Sequence, residues 1–415
     1  EVEIYLSRGT TYPFLYSVQD MFPDAPSGYR ESEASSTLAS YEDQDIPEGE
    51  KITVVGIMLE AFSDLTDFPV LDDIPAVHEI YEPLHELEER SISGRLLTNI
   101  FAGGTVDTEW GYLTGYSTHE EFRSPVNTYV RYFKSQGYDA LYRHPGYSWF
   151  YNRSNVNEYL GFDECVFNDT GFGDLISISD ALYHSDKVLV DYLLNDIDSR
   201  TETDDPLFLF SVSYQNHGPY PSETYWEEYA TPEKNGWSMQ TCCVINNYLA
   251  GIRSTINEMC RMTEELEARK EPIVFVFFGD HKPWMGNGNS VYTEIGVDLD
   301  VSTLEGFYNY YATPYVIYAN EAARELLGND FAEPGGDFSP CFLMAKVFDE
   351  CGWEGPGLMQ LQREMREVSP LMSSNGWRLQ NGQLTMELDG AAEDENERYL
   401  RAQYYIETHL KEDAS

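Results

Sequence analysis

Residues 52–60, ITVVGIMLE, decide the fold. Ile52 to Leu59 is a continuous apolar run rich in β-branched residues, and it closes on a carboxylate, Glu60. A run that does not alternate with polar residues reads as a strand buried on both faces, the habit of parallel sheets. A second such run, IVFVFF at Ile273–Phe278, ends at Gly279, Asp280 and His281. Acids and an imidazole where buried strands emerge stand where open α/β sheets bind their ligands.

From Lys51 onward, strand patterns alternate with amphipathic helical ones. Strands are predicted over 52–59, 97–101, 138–143, 207–213, 273–278 and 314–318, with helices over 124–136, 178–197 and 239–266. The alternation implies an α/β fold with a mostly parallel central sheet and helices on both faces. The strands that lead to the candidate site residues then point the same way.

A third stretch, FAGGTVDTEW at Phe101–Trp110, reads as a tight turn over Gly103 and Gly104 that feeds a helix with Thr105 in its first turn. A hydroxyl there lies among unpaired backbone N–H groups and the positive end of the helix dipole, a setting that favours an alkoxide or a phosphate. Taken alone, Thr105 reads first as an ordinary N-cap. Glu60 alone is readable as half of a structural ion pair, because an unpaired buried carboxylate costs several kcal/mol. Asp280-His281 alone is readable as loop structure. Taken together, three oxygen or nitrogen ligands and a hydroxyl suit a divalent cation. A threonine hydroxyl is a poor nucleophile near neutral pH, and metal coordination stabilises its alkoxide.

The quartet Glu60, Thr105, Asp280 and His281, with HPGYSWFYNR at His144–Arg153 and QNHGPY at Gln215–Tyr220, resembles the lipoteichoic acid synthase family. These are phosphoglycerol transferases within the alkaline phosphatase and sulfatase superfamily, and the likeness covers roughly residues 50–320. It implies an alkaline phosphatase/sulfatase-like fold and one manganese ion, with magnesium as the alternative, held by Glu60, Thr105, Asp280 and His281. Thr105 would also be the nucleophile. His144, Tyr151, Arg153 and His217 would line a glycerophosphate pocket. The implied reaction moves glycerophosphate from a phosphatidylglycerol-like lipid to a hydroxyl of a glycolipid or polymer, through a phospho-threonine intermediate. Such domains follow transmembrane helices and work on the extracellular face of a bacterial membrane, or are released as soluble domains. By its own chemistry, His217, in a loop after the strand pattern FLFSVS, could donate to a phosphoryl oxygen or move a proton, and Arg153 could grip phosphate with two nitrogens. Three departures from the better-known synthases are visible. Tyr151 stands where they have tryptophan, Gly146 where they have an acid, and KPWMG follows His281 where they supply a small hydroxyl residue.

Composition narrows the class further. The 415 residues carry 26 Lys and Arg against 72 Asp and Glu, a net charge of −46, and are 42% hydrophobic and 14% aromatic. No basic face for nucleic acid or anionic lipid is readily assembled from that balance. No run of 18 apolar residues spans a membrane, and the first residues carry no signal-peptide pattern, as expected of a fragment or mature form. Six cysteines show no metal spacing. Cys341 with Cys351, or Cys242 with Cys260, are conceivable disulfides, and buried thiols are the alternative.

Residues 1–50 read as an extended lead-in or wrapping arm, with a short helix over Tyr12–Met21. Residues 51–320 form the catalytic domain, and 321–415 a smaller α-rich C-terminal appendage. The appendage should hold a hairpin at Asn381-Gly382, a helix after Ser339-Pro340 and a final helix over ENERYLRAQYYIETHL. Two other readings compete with the transferase. One is a phosphodiesterase, phosphoethanolamine transferase or other hydrolase on this scaffold, and the other is a non-catalytic envelope binding protein. A sulfatase needs Cys or Ser in C/S-x-P-x-R, and no such pattern is present around the cysteines or Thr105.

Overall fold

The structure is a computed structural model and describes residues 24–119, 121–172, 185–200 and 206–411. One sheet contains β1 (Thr53–Leu59), β2 (Ile92–Leu97), β3 (Asp139–His144), β4 (Glu164–Phe167), β5 (Leu207–Val212), β6 (Ile273–Gly279) and β7 (Ala312–Ala319). Their order across it is β2-β7-β6-β1-β5-β3-β4. The strands β4, β3, β5, β1 and β6 pair in parallel, and β7 runs antiparallel between β6 and β2. Leu59 faces Gly279 and Met58 faces Val212 in register. Glu60, Asp280 and Ser213 therefore leave the sheet side by side.

The helices used below are α1 (Glu31–Leu38), α2 (Pro75–Glu88), α3 (Val106–Thr114), α4 (Arg153–Leu160), α5 (Asp186–Arg200), α6 (Met239–Glu267), α7 (Leu343–Cys351), α8 (Gly357–Val368) and α9 (Gly390–Thr408). Strand periodicity sorts the core into two layers. Val54, Met58, Phe210 and Phe278 pack on one face with Tyr112 of α3, Phe348 of α7, Met359 of α8 and Tyr399 of α9. Val55, Ile57, Leu209 and Phe277 pack on the other with Val77 of α2, Leu193 of α5 and Ile252 of α6. Each such side chain contributes about 1.5–3 kcal/mol on burial.

The C-terminal helices also hold α3 in place. Gly115 ends α3 in the left-handed region, φ 75°. Its carbonyl accepts from Gln362 Nε2 of α8 at 2.6 Å and from Tyr399 Oη of α9 at 3.2 Å. A Cβ at Gly115 would lie 2.2 Å from Tyr129 Oη and 2.3 Å from Gln362 Nε2, so no side chain fits.

Several expectations change. The strand expected over 97–101 is β2, which ends at Leu97; Gly94 and Arg95 interrupt its apolar pattern, and 98–104 is the loop to α3. The short edge strand β4 was not predicted. The helix expected over 124–136 is only Tyr129–Ser135, because Thr128 caps it by accepting from Arg131 N at 3.0 Å. The pattern over 178–197 begins outside the described residues and continues as α5. All six cysteines are unpaired. Cys242 and Cys260 lie on the single helix α6, about 27 Å apart at 1.5 Å per residue, which rules out their pairing.

The lead-in wraps the far end of the chain. Tyr29 meets Tyr404 edge-on at 4.7 Å, Arg401 donates to Ser27 O at 3.0 Å, and Asp43 accepts from Gly357 N at 2.8 Å. The helix expected over Tyr12–Met21 lies outside the described residues. Asn381 and Gly382, with φ 52° and 74°, turn the hairpin of β8 (Arg378–Gln380) and β9 (Gln383–Thr385). Among the described residues, no helix is long and apolar enough to cross a membrane.

Candidate active site

The ends of β1 and β6 bring Glu60, Asp280 and His281 together, all buried, with one ligand atom of each within 4.8 Å of the others. Backbone geometry fixes each in turn. Glu60 N donates to Ser213 Oγ at 2.9 Å, which ties the end of β1 to that of β5. Asp280 Oδ1 accepts from Ala61 N at 2.8 Å and His281 N at 2.7 Å, which aims Oδ2 into the space between the strands. His281 Nδ1 lies 2.9 Å from the carbonyl of Lys282. A carbonyl only accepts, so Nδ1 carries the proton and Nε2 presents its lone pair.

That lone pair faces acid. Nε2 stands 3.2 Å from Asp280 Oδ2 and 3.8 Å from Glu60 Oε1. Asp280 Oδ2 and His281 Nε2 are buried atoms without a hydrogen-bond partner among the described residues. Burial, reinforced by the charge of Asp280 and opposed by that of Arg153, holds the Glu60 carboxyl well above the usual carboxylate range. Two carboxyl groups and an imidazole lone pair that converge where all three are buried disfavour one another's charged, unliganded forms. They fit a divalent cation, which would satisfy the orphaned atoms and offset the surplus charge.

Thr105 stands at the start of α3, 7% exposed, and its hydroxyl caps nothing. The ordinary N-cap reading therefore fails for it. Two contacts tie its segment to the acids: Thr108 Oγ1 donates to Asp280 O at 2.7 Å, and Ala102 N to Lys282 O at 3.2 Å. Ala61, Ala102, Tyr151 and Asn152, which border these segments, all have φ between 49° and 60°. Non-glycine residues in that region store backbone strain, and such strain gathers at functional sites.

The second motif approaches from β3 and α4. Tyr151 hydrogen-bonds the backbone amide of Gly104, and its hydroxyl feels the charges of Glu60 and Asp280. Arg153 is buried with its Nε 3.0 Å from Tyr142 Oη and its Nη2 2.8 Å from Glu109 Oε2. Glu109 accepts from Tyr142 Oη as well, at 2.9 Å. The expected two-nitrogen grip on phosphate is thus a grip on Glu109 and Tyr142, and only Nη1 takes part in neither bond. His144 is buried and donates from Nδ1 to Val212 O at 2.9 Å. A Cβ at Gly146 would lie 2.2 Å from His144 Nε2. Gly146 is what this ring position demands, and an acid there would displace the ring.

His217 follows β5, half-buried, with Nδ1 2.6 Å from Gly218 O. Tyr214 lies between it and His144, with ring centroids 5.1 Å and 5.9 Å away. The loop ahead of His217 is fastened from behind. Asp186 N donates to Gln215 Oε1 at 3.0 Å, Asn216 Nδ2 to Thr255 Oγ1 at 2.9 Å, and Thr255 Oγ1 to Asp186. Burial pushes Asp186 up to about 7. In the KPWMG stretch, Lys282 and Met285 turn inward and Trp284 outward, 41% exposed.

Sequence reasoning did not find Glu109, Tyr142, Asp186 or Thr255. Glu109 had a signal: with Thr108, it lies one turn from Thr105 and so on the same helix face. Tyr142, inside an apolar strand, and the Asp186–Thr255 pair, joined only in space, had none.

The family model described as Sulfatase matches residues 52–334. A Rhizobium meliloti protein provisionally named for cyclic beta-1,2-glucan modification is 24% identical over 380 residues, covering 86% of this chain and 54% of its own length. The chain thus spans about half the length of that curated relative. Among solved structures, the Streptococcus pyogenes phosphoglycerol transferase GacH, in complex with sn-glycerol-1-phosphate, superposes with a TM-score of 0.65 at 18% identity, over 92% of this chain and 94% of its own. The Listeria monocytogenes lipoteichoic acid synthase LtaP does so with a TM-score of 0.58 at 15% identity, over 90% and 96%. These likenesses agree with the mostly parallel sheet found here, and the match over 52–334 makes this chain a member of the sulfatase family.

Proposed function

We propose that the protein is a metal-dependent phosphoglycerol transferase that moves glycerophosphate from a phosphatidylglycerol-like lipid to a hydroxyl acceptor, at the extracellular face of a bacterial membrane. The observation that supports this reading is the pair of orphaned atoms, Asp280 Oδ2 and His281 Nε2, grouped with Glu60, while Thr105, whose hydroxyl makes no cap hydrogen bond, opens the helix whose Thr108 Oγ1 donates to Asp280 O at 2.7 Å. GacH and LtaP, whose fold this chain shares, are named for phosphoglycerol transfer and lipoteichoic acid synthesis, and the relative named for glucan modification favours a glycan as acceptor.

Glu60, Thr105, Asp280 and His281 would hold the cation, manganese in this reading. When bound, it supplies Lewis acidity that stabilises the Thr105 alkoxide and offsets charge on the phosphoryl oxygens. Thr105 Oγ1 forms the new bond to phosphorus, the bond from phosphorus to the diacylglycerol oxygen breaks, and that oxygen takes up a proton. His217 serves the proton transfers, and Arg153, braced by Glu109 and Tyr142, places its charge beside Glu60. His144 and Tyr151 shape the head-group pocket. An acceptor hydroxyl then attacks the glycerophospho-threonine, which restores Thr105.

The test is diacylglycerol release from phosphatidylglycerol in detergent with and without manganese. Release should require manganese and fall at least about a thousandfold in Thr105→Ala. Release from phosphatidylethanolamine alone would replace the donor. No release from either lipid by metal-loaded protein would refute the transferase.

A further inference from the structure

A cavity of about 480 Å³ opens beside the QNHGPY loop and the KPWMG stretch, within the roughly 300–1,000 Å³ usual for small-molecule pockets. Its inner wall reaches toward the acid group through two tyrosines. Tyr220 lines it, donates to Asn216 O at 2.7 Å and meets Tyr248 edge-on at 5.4 Å, and Tyr248 Oη donates to Ala61 O, next to Glu60, at 2.9 Å. Trp284, three residues beyond His281 and 41% exposed, presents a large aromatic surface there. The opposite side is the start of α6, where Ser238, Gln240 and Thr241 line the cavity.

A helix N-terminus would ordinarily seat an anion. Here the place is filled, because Glu294 accepts from Ser238 Oγ at 2.8 Å and from Thr241 Oγ1 at 2.5 Å. Among the described residues, no Lys, Arg or His lines the cavity. A phosphate would meet a fixed carboxylate and no cation. What remains is an aromatic surface with neutral donors and acceptors on Asn287, Ser290, Gln240 and Ser222, which suits a ring with one apolar face and a rim of hydroxyls.

We propose that the cavity between Trp284 and Glu294 binds a neutral sugar ring of the acceptor and presents its hydroxyl to the Glu60–Asp280–His281 group; this rests on the transfer reading above. The sugar oxygen forms a bond to phosphorus, the bond from phosphorus to Thr105 Oγ1 breaks, and the sugar's proton returns to Thr105. The donor phosphate is recognised elsewhere, on the side of His144 and Arg153.

The test uses the full chain with manganese, phosphatidylglycerol in detergent and a neutral glucose tetrasaccharide as the probe. Saturation-transfer NMR reads saccharide binding, and products report transfer to sugar against transfer to water. Trp284→Ala, and separately Ser290→Trp, which puts a large ring into the cavity, should each lower the ratio of sugar transfer to hydrolysis at least about tenfold, through a higher KM for the saccharide. Saccharide binding that depends on Trp284 without any donor cleavage would support the cavity and refute the transferase. Donor cleavage with no saccharide binding, or with a product ratio unmoved in both variants, would overturn the cavity and leave the transferase standing.

Discussion

Glu60 and Asp64 are two buried acids four residues apart beyond the same strand, and they live under opposite conditions. Asp64 is fully buried, accepts from Thr66 N at 2.9 Å, and faces His85 Nε2 at 2.8 Å and Arg95 at 3.4 Å. Arg95 also reaches Asp67 and Glu88. Burial pushes the Asp64 carboxyl up, but the hydrogen bond from His85 and the charge of Arg95 outweigh it and hold the group below its ordinary value. Glu60 faces a second acid and a lone pair instead, and shifts the other way. Lys282 spans both regions. Its carbonyl orients His281, while its ammonium lies 5.1 Å above Phe68, near Asp64 and Asp67, depressed to about 8 by burial. A buried acid with its cations in place is architecture, and one that faces a second acid instead could accept a cation from solution.

Asp280→Asn should separate the two regions most sharply. The amide keeps the acceptor that Ala61 and His281 use and removes the charge facing Glu60, so the metal-free protein should unfold in urea no more readily than the wild type. Turnover should nevertheless fall at least about a hundredfold. A loss of several kcal/mol in metal-free stability would break the comparison. Arg95→Met should do the reverse: with Asp64, Asp67 and Glu88 left uncompensated, urea unfolding should show a loss of about 3 kcal/mol, while manganese still raises the melting temperature. That rise, which reflects about 2.7 kcal/mol of added stability at a hundredfold excess over Kd, should vanish in Glu60→Gln and on chelation. The smallest effect belongs to His85, which is 40% exposed as a side chain. Its partner Asp64 raises its pKa, so the stability it adds is full below about 6.5 and is lost as pH rises through the folded value. His85→Gln should cost about 0.5–1 kcal/mol at pH 6 and less at pH 9, where solvent and deprotonation weaken the pair.

The grouping of Glu60, Asp280 and His281 was legible because strands buried on both faces end abruptly, and a charged residue at the end is conspicuous. The same logic failed for β2, where Gly94 and Arg95 blur the pattern, and for β4, whose four residues at the sheet's edge run from exposed Glu164 to buried Phe167. Asp64 gave no sign in sequence that it differs from Glu60, since its partners stand 21 and 31 residues away on α2 and β2. Arg153 was found, but its commitment to Glu109, 44 residues distant, was not. Identity and spacing announce which groups carry charge, and only the packed chain says which charges already have a counterpart.

Gln362 and Tyr399 hold the carbonyl of Gly115, which closes the helix that Thr105 opens. Those two ends lie about 15 Å apart along the helix axis. A random-mutagenesis library scored only for lost turnover should therefore return substitutions at 362 and 399 beside those at 60, 105, 280 and 281. A map drawn from such hits would place the edge of the catalytic unit at the last helix rather than near residue 320.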